Sequence, residues 1–401
     1  MYQSRREFLL RSFGLPALWS GSRPGLKVDS VRAYPISLRA GSQPEPGGRT
    51  PRFSSDFDPA RWRFRGPFSL LASSIVVEIK TDQGIVGLGL AGGGAAAAYI
   101  IEHHLKDLLL GVDPLNIELL WDQLYQSSSY YGRRGVVIMA LSGIDLALWD
   151  IAGKHAGKPV YQLLGGATKQ RAPAYFTGNN VETGLKLGCN TFKLSIRDGT
   201  AEGRDGMKRT VEQVTSARND IGPDRELMID CNNFWDVPYT LEMAQRLAAH
   251  RLYWIEEPIS PDDIDGYEVL CREIRNTRIA SGNFEYTRWG FRELIRHKAV
   301  HVLLPDMSWA GGLTELRRID AMAGAQGLPV VPHRSGSLYG LAFALASPNC
   351  PFVESFGIGE PGNEILRAMT PRFESGYYYA SDKPGFGVEI PESDLRRYTR
   401  G

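Results

Sequence analysis

Residues 226–306 contain four short apolar runs that decide the fold: ELMID (226–230), YWIE (253–256), RIASGN (278–283) and HVLLPD (301–306). Two similar runs follow, PVVPH (329–333) and FVES (352–355). A polar residue closes every run, with gaps of 26, 27, 23, 27 and 21 residues between Asp230, Glu256, Asn283, Asp306, His333 and Glu354. This spacing fits one strand, one helix and two loops, and the C-terminal strand ends of a (β/α)8 barrel line its active site. We therefore predict an α/β fold with six polar side chains converging on one pocket.

Two earlier runs, PAYFTG (173–178) and TFKLS (191–195), bring the number of candidate strands to eight, as a closed barrel requires. Ahead of them the pattern predicts a small α+β domain, with a strand over 26–38, a hairpin over 74–90, and helices over about 95–110, 114–128 and 134–156. Residues 39–70 are rich in Gly, Pro, Arg and Ser and predict a long loop. The predicted organisation is a capping domain over 26–160, a modified TIM barrel over 165–365, and a tail over 366–401 that packs on the capping domain.

Composition narrows the classes of partner. The chain has 401 residues and a net charge of +1, so no basic surface indicates nucleic-acid binding. We expect no apolar run of the sequence to approach the roughly 20 residues that a bilayer span takes. The four cysteines are scattered without a CxxC pair, which predicts reduced, buried thiols. We expect a homo-oligomer that binds a small-molecule substrate, and neither nucleic acid nor a membrane.

One glycine-rich run imitates a dinucleotide-binding motif. Gly87-Leu88-Gly89-Leu90-Ala91-Gly92 matches GxGxxG and follows a predicted strand. A Rossmann unit needs a second parallel strand about 20 residues later that ends in an acidic residue. The sequence there, LLLGVDPLNIELL, predicts a helix start at Asp113-Pro114, and the hairpin predicts an antiparallel strand. We therefore reject dinucleotide binding.

Oxygen ligands at neighbouring strand ends predict a metal site. Asp230, Glu256 and Asn283 end three consecutive strands, and Mg²⁺ binds such oxygens while keeping positions for water and substrate. Salt bridges at the barrel rim are the alternative for each carboxylate alone. Taken together, clustered carboxylates repel one another and favour a cation.

The remaining strand ends predict acid–base chemistry. A carboxylate such as Asp306 that hydrogen-bonds one nitrogen of His333 would fix the tautomer and raise the basicity of the other nitrogen. Glu354 would donate a hydrogen bond or proton to the substrate, or form a salt bridge with an arginine such as Arg334. Lys193 is either a second base opposite His333 or a cation that offsets the carboxylates.

At these residues the chain resembles the enolase superfamily, in its mandelate racemase branch. The matching strings cover nearly all of 27–390 in order: ALSGIDLALWDIAGKHAGKPVYQLLGG (140–166), MIDCN (228–232), YWIEEP (253–258), PDMSWAGGLTE (305–315), VVPH (330–333) and FVES (352–355). The strings are most similar to those of acid-sugar dehydratases such as L-rhamnonate dehydratase. The resemblance implies a capping domain, formed by the N-terminal region and the C-terminal tail, over a modified TIM barrel.

The resemblance also implies roles for single residues. Asp230, Glu256 and Asn283 would bind Mg²⁺, Asp306 and His333 would form the base pair, and Glu354 would polarise the substrate carboxylate or its enolate. Glu257 would support the site without being a ligand, and Glu285 is an alternative third ligand. Further candidates for substrate contact are Asn232, Trp309 and, by loop position only, Arg61, Arg63, Arg65, Tyr130, Tyr131 and Arg134.

Two departures from the family pattern bear on the reaction. The third metal ligand is usually Glu in rhamnonate dehydratases, whereas here it is Asn283. The K-x-K motif of two-base members is Lys193-Leu194-Ser195, so one lysine is missing. These residues favour one-base dehydration of an aldonate or aldarate to a 2-keto-3-deoxy acid over racemisation or epimerisation. A non-catalytic sugar-acid-binding protein is the third hypothesis.

Glycoside hydrolysis on a barrel is a rejected alternative. Adjacent residues of a strand point to opposite faces, so Glu256 and Glu257 cannot form the flanking carboxylate pair that this chemistry uses.

The first 25 residues carry a separate signal. Ser4-Arg5-Arg6-Glu7-Phe8-Leu9 resembles a twin-arginine export motif, but the following segment to Trp19 is short and interrupted by Arg11, Gly14 and Pro16. Periplasmic export and a cytoplasmic location both stay open.

Overall fold

A computed structural model describes residues 25–36, 74–357 and 364–399. The described part begins with an antiparallel sheet of strands β1 Val28–Ile36, β2 Ser74–Thr81 and β3 Val86–Ala91. The helices that follow are α1 Gly94–His103, α2 Ile117–Ser128, α3 Val136–Ala156 and the single turn α4 Val160–Leu163. The predicted strand, hairpin and helices are all present, although the first helix ends at His103 and a 3-10 turn, Leu105–Leu108, continues it.

The glycine-rich run lets a strand and a helix pack backbone to backbone. A Cβ atom on Gly87 would lie 2.2 Å from the carbonyl oxygen of Ala147, and one on Gly89 would lie 2.0 Å from that of Gly143. Only glycine therefore permits β3 to lie this close to α3. Because β3 also pairs antiparallel with β2, the rejection of a Rossmann unit agrees with the structure.

Helix α3 corrects one expectation about membranes. By length and composition, its 21 residues suffice to cross a bilayer, although no such run was expected. In the fold 83% of its most apolar stretch is buried. Its apolar surface is therefore explained by the protein core, as expected for a helix that is hydrophobic on nearly all sides.

The barrel strands follow in chain order: β4 Arg171–Thr177, β5 Thr191–Ser195, β6 Glu226–Asp230, β7 Trp254–Glu256, β8 Arg278–Ser281, β9 Val302–Leu303 and β10 Val353–Ser355. The helices between them are α5 Val181–Lys186, α6 Gly203–Ile221, α7 Val237–Arg246, α8 Ile264–Glu273, α9 Thr287–Arg296, α10 Gly312–Gly324 and α11 Leu338–Ala346. Strands β4 to β9 pair in parallel in chain order, and β10 pairs in parallel with β4. The remaining strand position is held by two parallel bridges, Leu303–Val330 and Asp306–His333. The predicted barrel is confirmed.

Side chains on the barrel strands alternate between two cores. Met228, Trp254 and Ala280 belong to a small buried cluster, whereas Ile229, Ile255 and Ile279 belong to the large core. Since neighbouring residues of a strand point to opposite faces, the small cluster fills the barrel interior below the polar strand ends.

The four cysteines, Cys189, Cys231, Cys271 and Cys350, are free and buried, as predicted. Burial raises the pKa of Cys189 to about 11 and that of Cys350 to about 12. Thiols with such pKa values stay protonated and unreactive at neutral pH.

The tail divides between the two domains. Its elements are α12 Glu364–Met369, β11 Phe373–Glu374, β12 Tyr377–Tyr379 and α13 Glu392–Tyr398. The expectation that the whole tail packs on the capping domain is wrong for β12, which pairs antiparallel with residues 171–173 of β4. These residues precede the rungs that β4 shares with β5 and β10, so their backbone groups need another partner. Later tail residues do contact the capping domain, since Phe386 N–H donates to Asp150 Oδ1 over 2.8 Å.

Candidate active site

The three predicted metal ligands lie together at adjacent strand ends. Asp230 of β6 pairs in register with Glu256 of β7, and neighbouring strands lie about 4.8 Å apart. Asn283 follows β8, and its Nδ2 group donates to Glu256 Oε1 over 3.0 Å. Glu256 and Asn283 are both buried. The structure therefore brings together the oxygen donors that the spacing predicted.

Lys193 lies at the centre of the charged cluster. Its Nζ atom is 2.8 Å from Glu256 Oε1 and 2.8 Å from Glu354 Oε1, and the residue is 1% exposed. Burial lowers the pKa of Lys193, but the charges of Glu256 and Glu354 more than offset this, so the pKa is raised well above its ordinary value. A protonated lysine held by two carboxylates cannot accept a further proton. This geometry favours charge compensation over the second-base role.

The cluster fits a divalent cation. Burial raises the pKa of Glu256 to about 7, because the charge of Lys193 does not fully offset the desolvation and the nearby charges of Asp230 and Glu354. Asn283 Oδ1 is buried and has no hydrogen-bond partner among the described residues. An unpaired buried oxygen beside excess negative charge is costly unless a cation binds it. Asp230, Glu256 and Asn283 are thus suited to hold Mg²⁺.

Two neighbouring glutamates differ in their relation to this cluster. Glu257 does not contact Lys193. Its Oε1 accepts the backbone N–H groups of Gly282 and Asn283 over 2.9 and 2.8 Å. It therefore fixes the loop that carries Asn283. Glu285 accepts from Tyr286 N–H and lies 3.5 Å from Arg134 Nη2. These contacts favour Asn283 over Glu285 as the third ligand, because the Glu285 carboxylate already pairs with Arg134.

Asp306 and His333 form the predicted pair. His333 Nδ1 lies 2.9 Å from Asp306 Oδ2, and Asp306 Oδ1 accepts the N–H and hydroxyl of Ser308 over 2.8 and 2.6 Å. Because a carboxylate only accepts, Nδ1 carries the proton and Nε2 is free to act as a base. Burial lowers the pKa of His333, but the hydrogen bond that His333 donates to Asp306 and the charges of Glu354 and Asp306 outweigh this effect and raise the pKa.

The contacts of Glu354 favour an ionised carboxylate over a proton donor. Its Oε1 accepts from Thr177 Oγ1 over 2.7 Å and its Oε2 accepts from the backbone N–H of Arg334 over 2.6 Å. Burial would raise the pKa of Glu354, but the charges of Lys193 and His333 hold it at about 2. Glu354 is thus ionised and cannot donate a proton. The cation that pairs with it is Lys193 and not the side chain of Arg334.

The Asp306–His333 pair lies at the wall of a cavity of about 220 Å³. Asp306, Trp309, His333, Arg334 and Glu354 line it. The rest of its lining is partly apolar and includes Leu90, Met307, Phe356, Leu366 and Met369. The Trp309 and His333 rings lie 5.6 Å apart between centroids, so the tryptophan forms one wall beside the base.

The other predicted substrate contacts fall in three groups. Asn232 donates its amide N–H₂ to Ser195 Oγ over 3.2 Å, and its backbone N–H holds Asp230 Oδ1 over 2.9 Å. Arg134 binds Glu285 and Asp262 at the rim, and Tyr130 and Tyr131 are exposed near it. The loop arginines lie outside the described residues: Arg61, Arg63 and Arg65.

Several polar residues of the site were missed in the sequence. Trp254 Nε1 donates to Glu256 Oε2 over 3.0 Å, and Thr177 pairs in register with Lys193. The i, i+2 rule places Trp254 and Glu256 on one strand face and was available as a signal. For Ser308 no comparable signal exists, because its contact with Asp306 depends on the loop conformation.

Comparisons with known proteins agree with this architecture. The family model described as Enolase C-terminal domain-like matches residues 179–394, and the model of the mandelate racemase / muconate lactonizing enzyme N-terminal domain matches residues 63–165. L-rhamnonate dehydratase of Saccharopolyspora erythraea is 37% identical over 332 residues, which are 81% of this chain and 85% of that protein.

Solved structures of similar proteins contain magnesium. Rhamnonate dehydratase from Gibberella zeae complexed with Mg superposes with a TM-score of 0.82 and 32% identity, over 94% of this chain and 97% of that one. A racemase from Streptomyces coelicolor A3(2) with bound magnesium superposes with a TM-score of 0.78 and 26% identity, over 93% of this chain and 100% of that one. Mg²⁺ is the typical cofactor of these solved relatives. The chain belongs to the enolase superfamily, in its mandelate racemase and muconate lactonizing enzyme branch.

The third ligand position gives the first testable prediction. Replacing Asn283 with Glu adds a negative charge beside Glu256 and should tighten Mg²⁺ binding by roughly tenfold, about 1.4 kcal/mol. Asn283→Ala should weaken binding, because it removes the unpaired oxygen. Isothermal titration calorimetry with Mg²⁺ measures both.

The matched control is Glu285→Gln, two residues away, which removes a carboxylate that faces Arg134. Its Mg²⁺ affinity should equal that of the wild type. Weaker binding by Glu285→Gln together with unchanged binding by Asn283→Ala would assign the ligand to Glu285 instead.

Proposed function

We propose that the chain catalyses Mg²⁺-dependent dehydration of a sugar acid to a 2-keto-3-deoxy acid, as a hydro-lyase. One observation carries the proposal: a buried carboxylate cluster that needs a cation lies near a histidine that is paired with a carboxylate through Nδ1 and lines the cavity. The dehydratase names of relatives with similar sequences support the same reaction class. Asp230, Glu256 and Asn283 are the proposed Mg²⁺ ligands.

The reaction begins with the proton α to the substrate carboxylate. Bound Mg²⁺ supplies positive charge that makes this weakly acidic proton easier to remove. His333 accepts the proton at Nε2, and the C–H bonding electrons move into the carboxylate to give an enediolate. Asp306 keeps Nδ1 protonated and stabilises the imidazolium that forms.

The second step expels the 3-hydroxyl group. The imidazolium of His333 returns its proton to the departing oxygen, the C3–O bond breaks, and water leaves. The resulting enol tautomerises to the 2-keto-3-deoxy acid. Lys193 favours the ionised forms of Glu256 and Glu354 and holds both carboxylates in place, and its ammonium adds positive charge near the developing enediolate.

Racemisation or epimerisation needs an acid–base group on each face of the α-carbon. Lys193 would have to leave two carboxylates, each 2.8 Å away, to act as a base. Ser195 stands where two-base members of the family carry a second lysine. These contacts favour the one-base reaction.

The cavity lining supports two substrate classes. The apolar side chains of Leu90, Leu366 and Met369 suit an aldonate with an apolar distal end, such as L-rhamnonate. The exposed side chain of Arg334 at the same cavity favours an aldarate, whose second carboxylate would pair with it. We propose the aldonate class, because apolar atoms form more of the cavity lining than polar atoms do.

A substrate screen with base variants tests the function. The wild type with Mg²⁺ should convert an aldonic acid to a 2-keto-3-deoxy product, and excess chelator should abolish turnover. His333→Asn should lower kcat by roughly 10²- to 10⁴-fold and stop exchange of the α-proton with deuterated water. NMR of the substrate in deuterated water reports both reactions.

His297→Asn is the control, since His297 pairs with Glu268 on the outer surface of the barrel helices. Its activity should be unchanged. If His333→Asn exchanged the α-proton at the wild-type rate, Lys193 would be the operating base and the epimerase hypothesis would be favoured.

The pH profile tests the contact between Asp306 and His333. Only neutral His333 accepts a proton, so kcat/KM should fall as the pH drops through its raised pKa. Asp306→Asn removes the interaction that raises this pKa, so the acidic limb should move to lower pH while the maximal rate falls. The measurement is kcat/KM against pH for both proteins.

Asp262→Asn is the control, because Asp262 is a carboxylate at the exposed rim that does not contact His333. The acidic limb of its kcat/KM profile should lie at the same pH as in the wild type. A limb at the same or higher pH in Asp306→Asn would show that Asp306 does not set the basicity of His333.

A further inference from the structure

The loop that carries Asp306 runs straight into a helix that has no cap of its own. Helix α10 begins after Gly311, which offers no capping side chain and has φ of 117°, and Gly312 follows with φ of 82°. The first N–H groups of a helix have no acceptor within the helix. The start of α10 therefore depends on acceptors from elsewhere in the protein.

Helix α3 of the capping domain supplies these acceptors. Ser142 Oγ accepts the N–H of Gly311 over 2.9 Å, and Asp145 Oδ2 accepts the N–H of Thr314 over 3.0 Å. Ser142 and Asp145 are three residues apart and so lie on one helix face. A cap that is normally built by a neighbouring residue is here supplied by another domain.

Two tryptophans reinforce the contact. Trp121 Nε1 donates to the carbonyl oxygen of Gly311 over 2.8 Å, and Trp149 Nε1 donates to Thr314 Oγ1 over 2.9 Å. A Cβ atom on Gly312 would lie 2.3 Å from Asp145 Oδ2. The start of α10 is thus held on both sides at close range.

The other end of the same loop carries Asp306, which pairs with His333. The carbonyl oxygen of Asp306 accepts the N–H groups of Trp309 and Ala310 over 3.0 and 2.7 Å, and its side chain holds Ser308 and His333. Only four residues separate Asp306 from Gly311. A shift at the start of α10 therefore reaches Asp306 through a short, hydrogen-bonded turn.

We infer that Ser142 and Asp145 are positioning residues, which fix the Asp306–His333 distance from the capping domain by accepting the N–H groups of Gly311 and Thr314 at the start of α10. Asp145 is a costly choice for a purely structural contact, because its Oδ1 is buried without a partner among the described residues. The inference rests on the proposed function only in that His333 is the base.

A carboxylate on the same helix provides a matched control. Asp150 is also buried, but it accepts the N–H groups of Leu88 and Phe386 over 3.0 and 2.8 Å and pairs with Lys154. It holds the tail and the sheet and does not touch α10. Truncation at Asp150 therefore reports the general cost of losing a buried carboxylate from this helix.

The test is the titration of His333 in the full-length protein, followed by NMR of isotope-labelled histidine and assigned with His333→Asn. Asp145→Ala should lower the His333 pKa by roughly half a pH unit or more, because Asp306 loses its fixed position. Asp145→Asn should restore most of the wild-type value, since its amide oxygen still accepts from Thr314. Asp150→Ala should leave the His333 pKa unchanged.

Steady-state kinetics gives a second readout. Asp145→Ala should lower kcat roughly tenfold or more with little change in KM, as expected for misplacement of a catalytic group. An unchanged His333 pKa in folded Asp145→Ala, or an equal shift in Asp150→Ala, would overturn the inference. If Asp145→Ala does not fold, Ser142→Ala is judged by the same criteria. The titration needs no substrate, so it decides the inference even if no sugar acid is dehydrated.

Discussion

The rest of the site depends on the burial of Lys193 between Glu256 and Glu354. A buried ammonium needs paired carboxylates, and buried carboxylates need compensating charge. Among the described residues, the ion pairs of Glu256 and Glu354 are with Lys193, and that of Asp306 is with His333. Asp230 adds a fourth carboxylate near the same two cations. The deficit of positive charge is what a divalent cation would correct. The same contacts keep Lys193 protonated, which leaves His333 as the group able to move a proton.

Helix α3 of the capping domain contacts both the sheet of that domain and the barrel helix α10. Glycines in β3 let helix α3 approach the sheet within backbone contact, and the opposite side of that helix meets the barrel at α10. One apolar helix therefore joins the sheet of the capping domain to the loop that bears Asp306. The inferred role of Ser142 and Asp145 would make the capping domain, together with the barrel, responsible for the geometry of the Asp306–His333 pair.

Much of the fold and part of the candidate site were predictable from the sequence. The regular spacing of Asp230, Glu256, Asn283, Asp306, His333 and Glu354 reflects the βα repeat, so both the barrel and the neighbours along the rim followed from it. Contacts between distant elements were not predictable. The partner of Glu354, the pairing of β12 with β4, and the capping of α10 by Ser142 and Asp145 all depend on tertiary packing. Because α3 is apolar on nearly all sides, its sequence does not indicate which of its faces contacts the barrel.

We propose that Asp230, Glu256 and Asn283 form one cation site beside Lys193. A crystal structure of the protein grown with Mg²⁺ would show the ion and its ligands. We expect one ion with oxygens of these three residues at about 2.0–2.1 Å and its remaining positions open to water or substrate, while Lys193 keeps its contact with Glu354. An ion bound through Glu285, or a fully ordered site in which Lys193 and Asn283 satisfy Glu256 without any ion at saturating Mg²⁺, would rule out this site.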